Sequence, residues 1–412
     1  MTVSGAAKRG GGSGPRAPSS GERGIVLAIV LVLIFALITA VYAFQRRSIL
    51  DTTIAQNRLA AAEADALGRG GIRIAEAIVY LAGLKSGAEA PGGDLAAAAA
   101  AALGQVADGA PALPASALQS DDLWQQIGSY PLEFARGRTL RITIEDEGAL
   151  LNLNALVPPA PPADDEDALG NRPVAEQAEE DAGQSLDDAE QYLIEVLKYV
   201  IEGMSGTREE KAYDEIAIAR NLIDWMDADS TARDGRDEDA YYRDQDPPYR
   251  ARNGPFLSVD EIGLVEGVDG RLLAALRESV TVHPVGSQAG INLNRAPTWV
   301  LGLVYAGVDG DRRLIGEKAV RALAALRQQG KLVCGDGGGD PSRCVPLNEV
   351  ADGALADGSI YPPVELPARA EVFRVVAEAQ VDALVRRTEA IIDTRSADGP
   401  LLLSWRRLRG TD

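Results

Sequence analysis

The sequence predicts an α+β protein. An N-terminal membrane-crossing helix runs on into an antiparallel-sheet domain, and a large all-helical domain is inserted between the strands. Three observations predict this. A charge-free apolar run lies near the N-terminus, strictly alternating segments stand at 139–146 and again near the C-terminus, and the chain between them is mainly helical in its periodicity.

Ile25 to Phe44 is a run of 20 residues without a charge. At about 1.5 Å per residue it spans about 30 Å, the thickness of a bilayer's hydrocarbon core. Residues 1–24 precede it as a leader rich in Gly, Ser and Pro. Lys8, Arg9, Arg16 and Arg23 against Glu22 give that leader a side-chain charge of +3. Positive charge ahead of a first span holds its end in the cytoplasm and sends the remainder across. Arg46 and Arg47, just after the span, weaken that orientation and suit lipid head groups. A secretory signal has a shorter apolar core and a small-residue cleavage site, which this segment lacks.

From Gln45 to about Ser86, Ile49, Ala60, Glu63, Leu67, Ile74, Ile78 and Leu81 fall at helical spacings, although Gly68, Gly70 and Gly71 interrupt them. An Ala/Gly/Pro-rich stretch follows, with a short helix expected over 95–103. Thr139–Asp146 alternates, with Leu140, Ile142 and Ile144 on one face: a half-buried strand. Residues 157–190 read as an acidic, disordered insertion, with 11 Asp/Glu and one Arg between Asp164 and Glu190. From Leu186 to about Val350 the pattern is mainly helical. Two segments there carry a Gly-Val-Asp-Gly turn, at 267–270 and 307–310, each read as the bend of a helical hairpin. Residues 371–382 alternate, and 385–393 and 401–408 follow after turn residues, which reads as a three-stranded antiparallel meander. The domains are therefore the leader 1–24, the span 25–44, a sheet domain of 45–156 plus 362–412, the acidic insertion 157–190 and the helical domain 191–361.

Composition excludes several functions. Forty-one Lys+Arg against 61 Asp+Glu give a net charge of −20, unfit to neutralise phosphates. A lone histidine, His283, rules out sites with two His ligands; it reads as a surface or packed residue. Two cysteines are too few for an all-cysteine zinc site. Cys334 and Cys344 enclose a nine-residue glycine-rich loop, and an oxidising compartment would join them as a disulfide. Asn152, Asn154, Asn292 and Asn294 repeat an L/I-N-L-N pattern, and short amides of this kind satisfy turn backbone. Asp224, Asp227, Asp229, Asp234, Asp237, Glu238 and Asp239 crowd one turn-rich stretch. Dense hard oxygen ligands suit calcium. The match to an EF-hand loop is partial, because Ala232 stands where its sharp turn needs glycine.

Glu22-Arg23-Gly24 directly before the apolar run resembles a type IV prepilin signal, which implies cleavage by a prepilin peptidase between Gly24 and Ile25. Three further segments are specific: ITIEDEGALLNLNAL (142–156), the NLIDWMDADS…VEGV stretch (221–268) and INLNRAPTWVL (291–301). In this order they resemble the K-type minor pseudopilins of bacterial type II secretion systems. The resemblance implies a pilin-like sheet domain split by a helical one. It also implies a structural, non-enzymatic role at the tip of a pseudopilus that supports protein export. Implied partners are the I- and J-type minor pseudopilins and the major pseudopilin fibre. The implied location is a single pass of the bacterial inner membrane with the bulk of the chain in the periplasm. Asp227, Asp229, Glu238 and Asp239 fall on the family's D-x-D and E-D motifs, which implies calcium at those residues. The family lacks a glutamate at mature position five, and Ile29 occupies that position here. A subunit with no neighbour above it has no ammonium to neutralise there, and an unpaired carboxylate in lipid is costly.

Two competing readings are weaker. INLNRAP and the two Gly-Val-Asp-Gly hairpins resemble the helix-hairpin-helix module of a membrane-anchored, competence-type nucleic-acid protein, but an Asp occupies each turn where phosphate would sit. A membrane-anchored enzyme lacks support, because the sequence has no nucleophile–base or catalytic-metal pattern.

Overall fold

The computed structural model describes residues 20–87, 124, 131–134, 137–157, 172–308, 310–335, 342–353, 355, 358–396 and 399–408. The short helix expected over 95–103 lies outside them. The chain divides into two compact units, Met1–Glu63 and Ala64–Asp412.

Helix α1 (Ser20–Gly87) supplies the described part of the first unit and enters the second. Among the described residues it is the helix long and apolar enough to cross a membrane, and its apolar window is wholly exposed. In the second unit its inward stripe is Ala64, Gly68, Gly71, Ile72, Ala75, Ile78 and Val79, all buried. The glycines do not break the helix; they let it approach the sheet. A Cβ on Gly71 would stand 3.1 Å from both Ala377 Cβ and Leu140 Cδ1, and one on Gly68 would meet Thr388 Oγ1 at 3.0 Å.

The sheet under this helix is antiparallel, in the order β1 (Leu132–Phe134), β2 (Arg138–Asp146), β10 (Val372–Val381), β11 (Leu384–Asp393), β12 (Leu401–Leu408). Alternation decides which face is buried: Leu140, Ile142 and Ile144 on β2 and Phe373, Val375, Ala377, Ala379 and Val381 on β10 all point inward. Ile142 stands opposite Ala377 across the ladder. The strands at 139–146 and 371–408 thus stand where the sequence predicts them. β1 was not foreseen, because three residues carry too little pattern.

Everything between β2 and β10 is the insertion. Its helices are α2 (Arg172–Gly203), α3 (Glu215–Met226), α4 (Asp239–Arg243), α5 (Gly270–Arg277), α6 (Thr298–Leu301) and α7 (Glu317–Gln328). Short strand pairs supplement them: β3 (Leu151–Asn152) beside β4 (Val280–Thr281), β6 (Arg313–Leu314), β5 (Tyr305–Ala306) and β9 (Ile360–Tyr361) together, and β7 (Leu332–Cys334) beside β8 (Cys344–Pro346). Cys334 and Cys344 are joined as a disulfide. Closing so short a loop stabilises the fold by about 2–3 kcal/mol in the chain-entropy model.

Two expectations need correction. The acidic run is not disordered throughout: residues 172–190 belong to α2, while 158–171 lie outside the described residues. Ala189, Tyr192, Leu193, Val196, Leu197 and Val200 form a helical apolar stripe in the core. Cations neutralise the acidic side: Arg220 and Arg233 donate to Glu190 at 2.8 and 2.7 Å, and Arg312 to Asp188 at 2.8 Å. The second Gly-Val-Asp-Gly segment is the bend of a β-hairpin, not a helical one. Tyr305 and Ala306 before it pair with Leu314 and Arg313 after it, and with Tyr361 and Ile360.

The four asparagines act as the sequence predicts. Asn154 accepts from Phe256 N–H at 2.8 Å and donates to Phe256 O and Val282 O at 2.9 and 2.7 Å. Asn294 exchanges two bonds with the Val333 backbone at 2.8 and 2.7 Å. Asn152 and Asn292 each accept from the N–H two residues on, at 3.1 Å. Where the insertion leaves β2, buried Glu147 accepts from Arg374 Nε at 2.7 Å and from the Thr281 hydroxyl. Next to it Asp146 accepts from Gly148 N–H and Asn292 Nδ2 at 2.9 and 3.0 Å. Burial pushes Asp146 up to about 6 despite Arg295 nearby. His283 packs here, its pKa lowered by burial.

Candidate metal centre

The acidic stretch follows directly from α3. Asp214 caps the helix start by accepting from Ala217 N–H at 3.0 Å, and Ile218, Leu222, Ile223 and Trp225 bury its inner face. Trp225 stacks on Phe256 and donates Nε1–H to Glu261 at 3.2 Å, so the end of the helix is held. The helix stops at Asp227. The next residues make a compact loop: Thr231 bridges to Asp237, Ala232 N–H reaches Arg236 O at 3.0 Å, and Gly235 takes φ +82° between them. The reversal at Gly235 needs a left-handed residue, so the sharp turn comes later than in an EF-hand.

This loop places Glu238 opposite the end of α3. Oxygens of Asp227, Asp229 and Glu238 lie within 4.8 Å of one another. Asp227 Oδ1 and both carboxylate oxygens of Glu238 are buried and have no hydrogen-bond partner. Burial, then repulsion from Asp229 and Asp224, pushes Asp227 up to about 7. Burial, then repulsion from Asp227, Asp224 and Asp229, pushes Glu238 up to about 8. Buried acceptors without donors carry a large desolvation penalty. Converging hard oxygens, met by few donors such as Thr231 N–H on Asp229 at 2.7 Å, are a fit for a divalent cation with carboxylate ligands.

The other predicted residues have other duties. Asp239, expected as a ligand, turns away: it accepts from Ala251 N–H at 3.0 Å and faces Arg250 at 3.8 Å. Asp224 accepts from Arg233 N–H at 3.1 Å, and burial raises it to about 6. Asp234 and Asp237 are held low by bonds from Arg236 and Arg243. One residue was missed. Asn253, in the left-handed region at φ 48°, donates its amide to Asp229 O and ties the loop to the chain after α4. The Asn253-Gly254 pair was the available signal, since such a pair marks a turn. Gly24 and Ile25 lie in the first turns of α1.

Comparison with known proteins bears on this region. Residues 149–285 match the family model described as type II secretion system (T2SS), protein K. Type II secretion system protein K of Aeromonas hydrophila is 31% identical over 114 residues, 26% of this chain and 34% of the relative. The chain thus spans about a third of the length of that curated relative. A chain in the crystal structure of the GspK-GspI-GspJ complex from the enterotoxigenic Escherichia coli type 2 secretion system is similar at TM-score 0.42 and 19% identity, over 77% of this chain and 97% of that one. The matched span of the family model begins at the exit from β2 and holds the whole carboxylate cluster. Residues 149–285, a third of the chain, are thus similar to the type II secretion system protein K family.

Proposed function

We propose that this protein is a structural minor pseudopilin at the tip of a type II secretion pseudopilus. The observation that carries it is the protein K match over 149–285, on an insertion between the strands of one antiparallel sheet. The apolar half of α1 anchors the chain in the bacterial inner membrane as a single pass, with the bulk in the periplasm. A prepilin peptidase cuts between Gly24 and Ile25. Ile29, at mature position five, brings no carboxylate into the bilayer and needs no subunit above it. The I- and J-type minor pseudopilins and the major pseudopilin fibre are its partners, as the K-type resemblance implies. Its role is non-enzymatic. The helix-hairpin-helix alternative loses its second hairpin to the β5–β6 turn.

Calcium belongs to the same proposal. Asp227, Asp229 and Glu238 would hold it, and the ion would supply positive charge that links the end of α3 to the start of α4. Deleting the coding sequence from its source organism tests the function. Type II substrates should disappear from the medium and return on re-expression; unchanged export would overturn the reading.

A further inference from the structure

A second feature lies away from the carboxylate cluster, in the same insertion. A groove of about 850 Å³ runs between the C-terminal end of α2, helix α5 and helix α6. Two aromatic side chains wall it. Trp299 is 53% exposed and Tyr199 39% exposed. Neither is loose. The Trp299 indole donates to Glu278 O at 3.1 Å, and the Tyr199 ring lies so close over Gly302 that a Cβ there would meet its hydroxyl at 2.5 Å. Ala274, Ala275 and Gly203 keep the space between them open.

Charge on the rim is mostly negative, with Glu202 and Glu278 against Arg271. Glu202 and Glu278 line the groove, are exposed, and hold no ion pair among the described residues. The neighbouring cations are already engaged: Arg271 donates to Ser205 O at 2.9 Å and faces Glu210 at 3.9 Å, and Lys211 donates to Glu202 O at 3.0 Å. A fixed, exposed indole beside free carboxylates attracts a cation by its ring face and by charge together. Arginine suits it better than lysine, because a planar guanidinium stacks on an indole while it pairs with carboxylates. Anchored aromatics of this kind are what interfaces bury at their centres.

We propose that this groove docks an arginine-bearing apolar segment of a partner polypeptide, the guanidinium meeting the Trp299 ring and the Glu202 and Glu278 carboxylates. It stands on the chain alone and does not depend on the role proposed above.

The test uses the full chain in zwitterionic detergent. Trp124 and Trp225 are buried, so in a Trp405→Phe background Trp299 is the exposed tryptophan and reports on the groove. The probe is an acetylated, amidated hexapeptide of alternating leucine and arginine; the control replaces arginine by glutamate. The expected result is saturable change in Trp299 emission with the arginine peptide alone, weakened at least tenfold in Glu202→Gln/Glu278→Gln. Calorimetry on the unsubstituted chain gives the same comparison of peptides if a variant folds poorly. Equal binding of both peptides, no saturable binding, or full affinity in the double variant would each overturn the proposal. So would acrylamide failing to quench Trp299 in the free chain, because the groove would then be covered already.

Discussion

Gly70 and Gly71 are adjacent in α1, yet a side chain at one meets nothing within 4 Å and at the other meets Ala377 and Leu140 at 3.1 Å. Gly70→Ala should stabilise the second unit by up to about 1 kcal/mol, since alanine restricts the unfolded chain and favours helix. Gly71→Val should destabilise it by about 1–3 kcal/mol through overpacking. Paired thermal melts check this, and equal shifts would mean the helix does not pack through Gly71. Asp146 offers a pH test. Its folded pKa, about 6, lies above the ordinary aspartate value of 3.8. The folded state therefore binds the proton more tightly, and this group's contribution to stability falls as pH rises through that window. The wild type should lose stability relative to Asp146→Asn between pH 4 and 6; a flat difference would contradict the burial. At the carboxylate cluster, calcium should raise the melting temperature and Glu238→Gln should remove most of that rise. An unchanged melt in excess chelator would count against the site. None of these three outcomes is legible in sequence alone, because each depends on what a side chain meets across the fold. The density of acids was legible. That Asp239 turns to Ala251 and leaves Asp227, Asp229 and Glu238 together was not.

At the scale of elements, period and partner distance decide what could be read. β2 and β10 carry nine and ten residues of alternating pattern, so their inward faces follow from the sequence, whereas β12 is exposed along nearly its whole length. β5, β6 and β9 have two residues each, and their pairing joins Tyr305 to both Leu314 and Tyr361, which no local pattern encodes. Helix α2 is the instructive case. Its apolar stripe from Ala189 onward was present in the sequence, but eleven acids between Asp164 and Glu190 suggested a solvated segment. What reverses that reading is long-range: Arg233 reaches Glu190 and Asp187, and Arg312 reaches Asp188. Arg233→Gln should therefore cost about 1–3 kcal/mol, as expected for the charge-assisted bond lost from the largely buried Glu190, the exposed Asp187 adding little. Amide exchange along 186–200 should quicken. Exchange unchanged in this variant would mean the apolar stripe alone holds the helix.

At the scale of the whole molecule, the division of labour follows from where each kind of residue sits. The exposed apolar half of α1 suits a bilayer, the sheet carries the helix's inner stripe, and the insertion stands between β2 and β10 where it can grow without breaking the ladder. A net charge of −20 disfavours neutralisation of a phosphate backbone. The layout of membrane helix, split sheet and helical insertion was legible because each part uses a different hydrophobic period; the assembly it enters is not a property of one chain. The most direct test is therefore light scattering coupled to size exclusion, on the full chain in detergent with the I- and J-type pseudopilins of the same organism. A single 1:1:1 species is the result this account predicts. A chain that stays alone beside partners shown to be folded would contradict it.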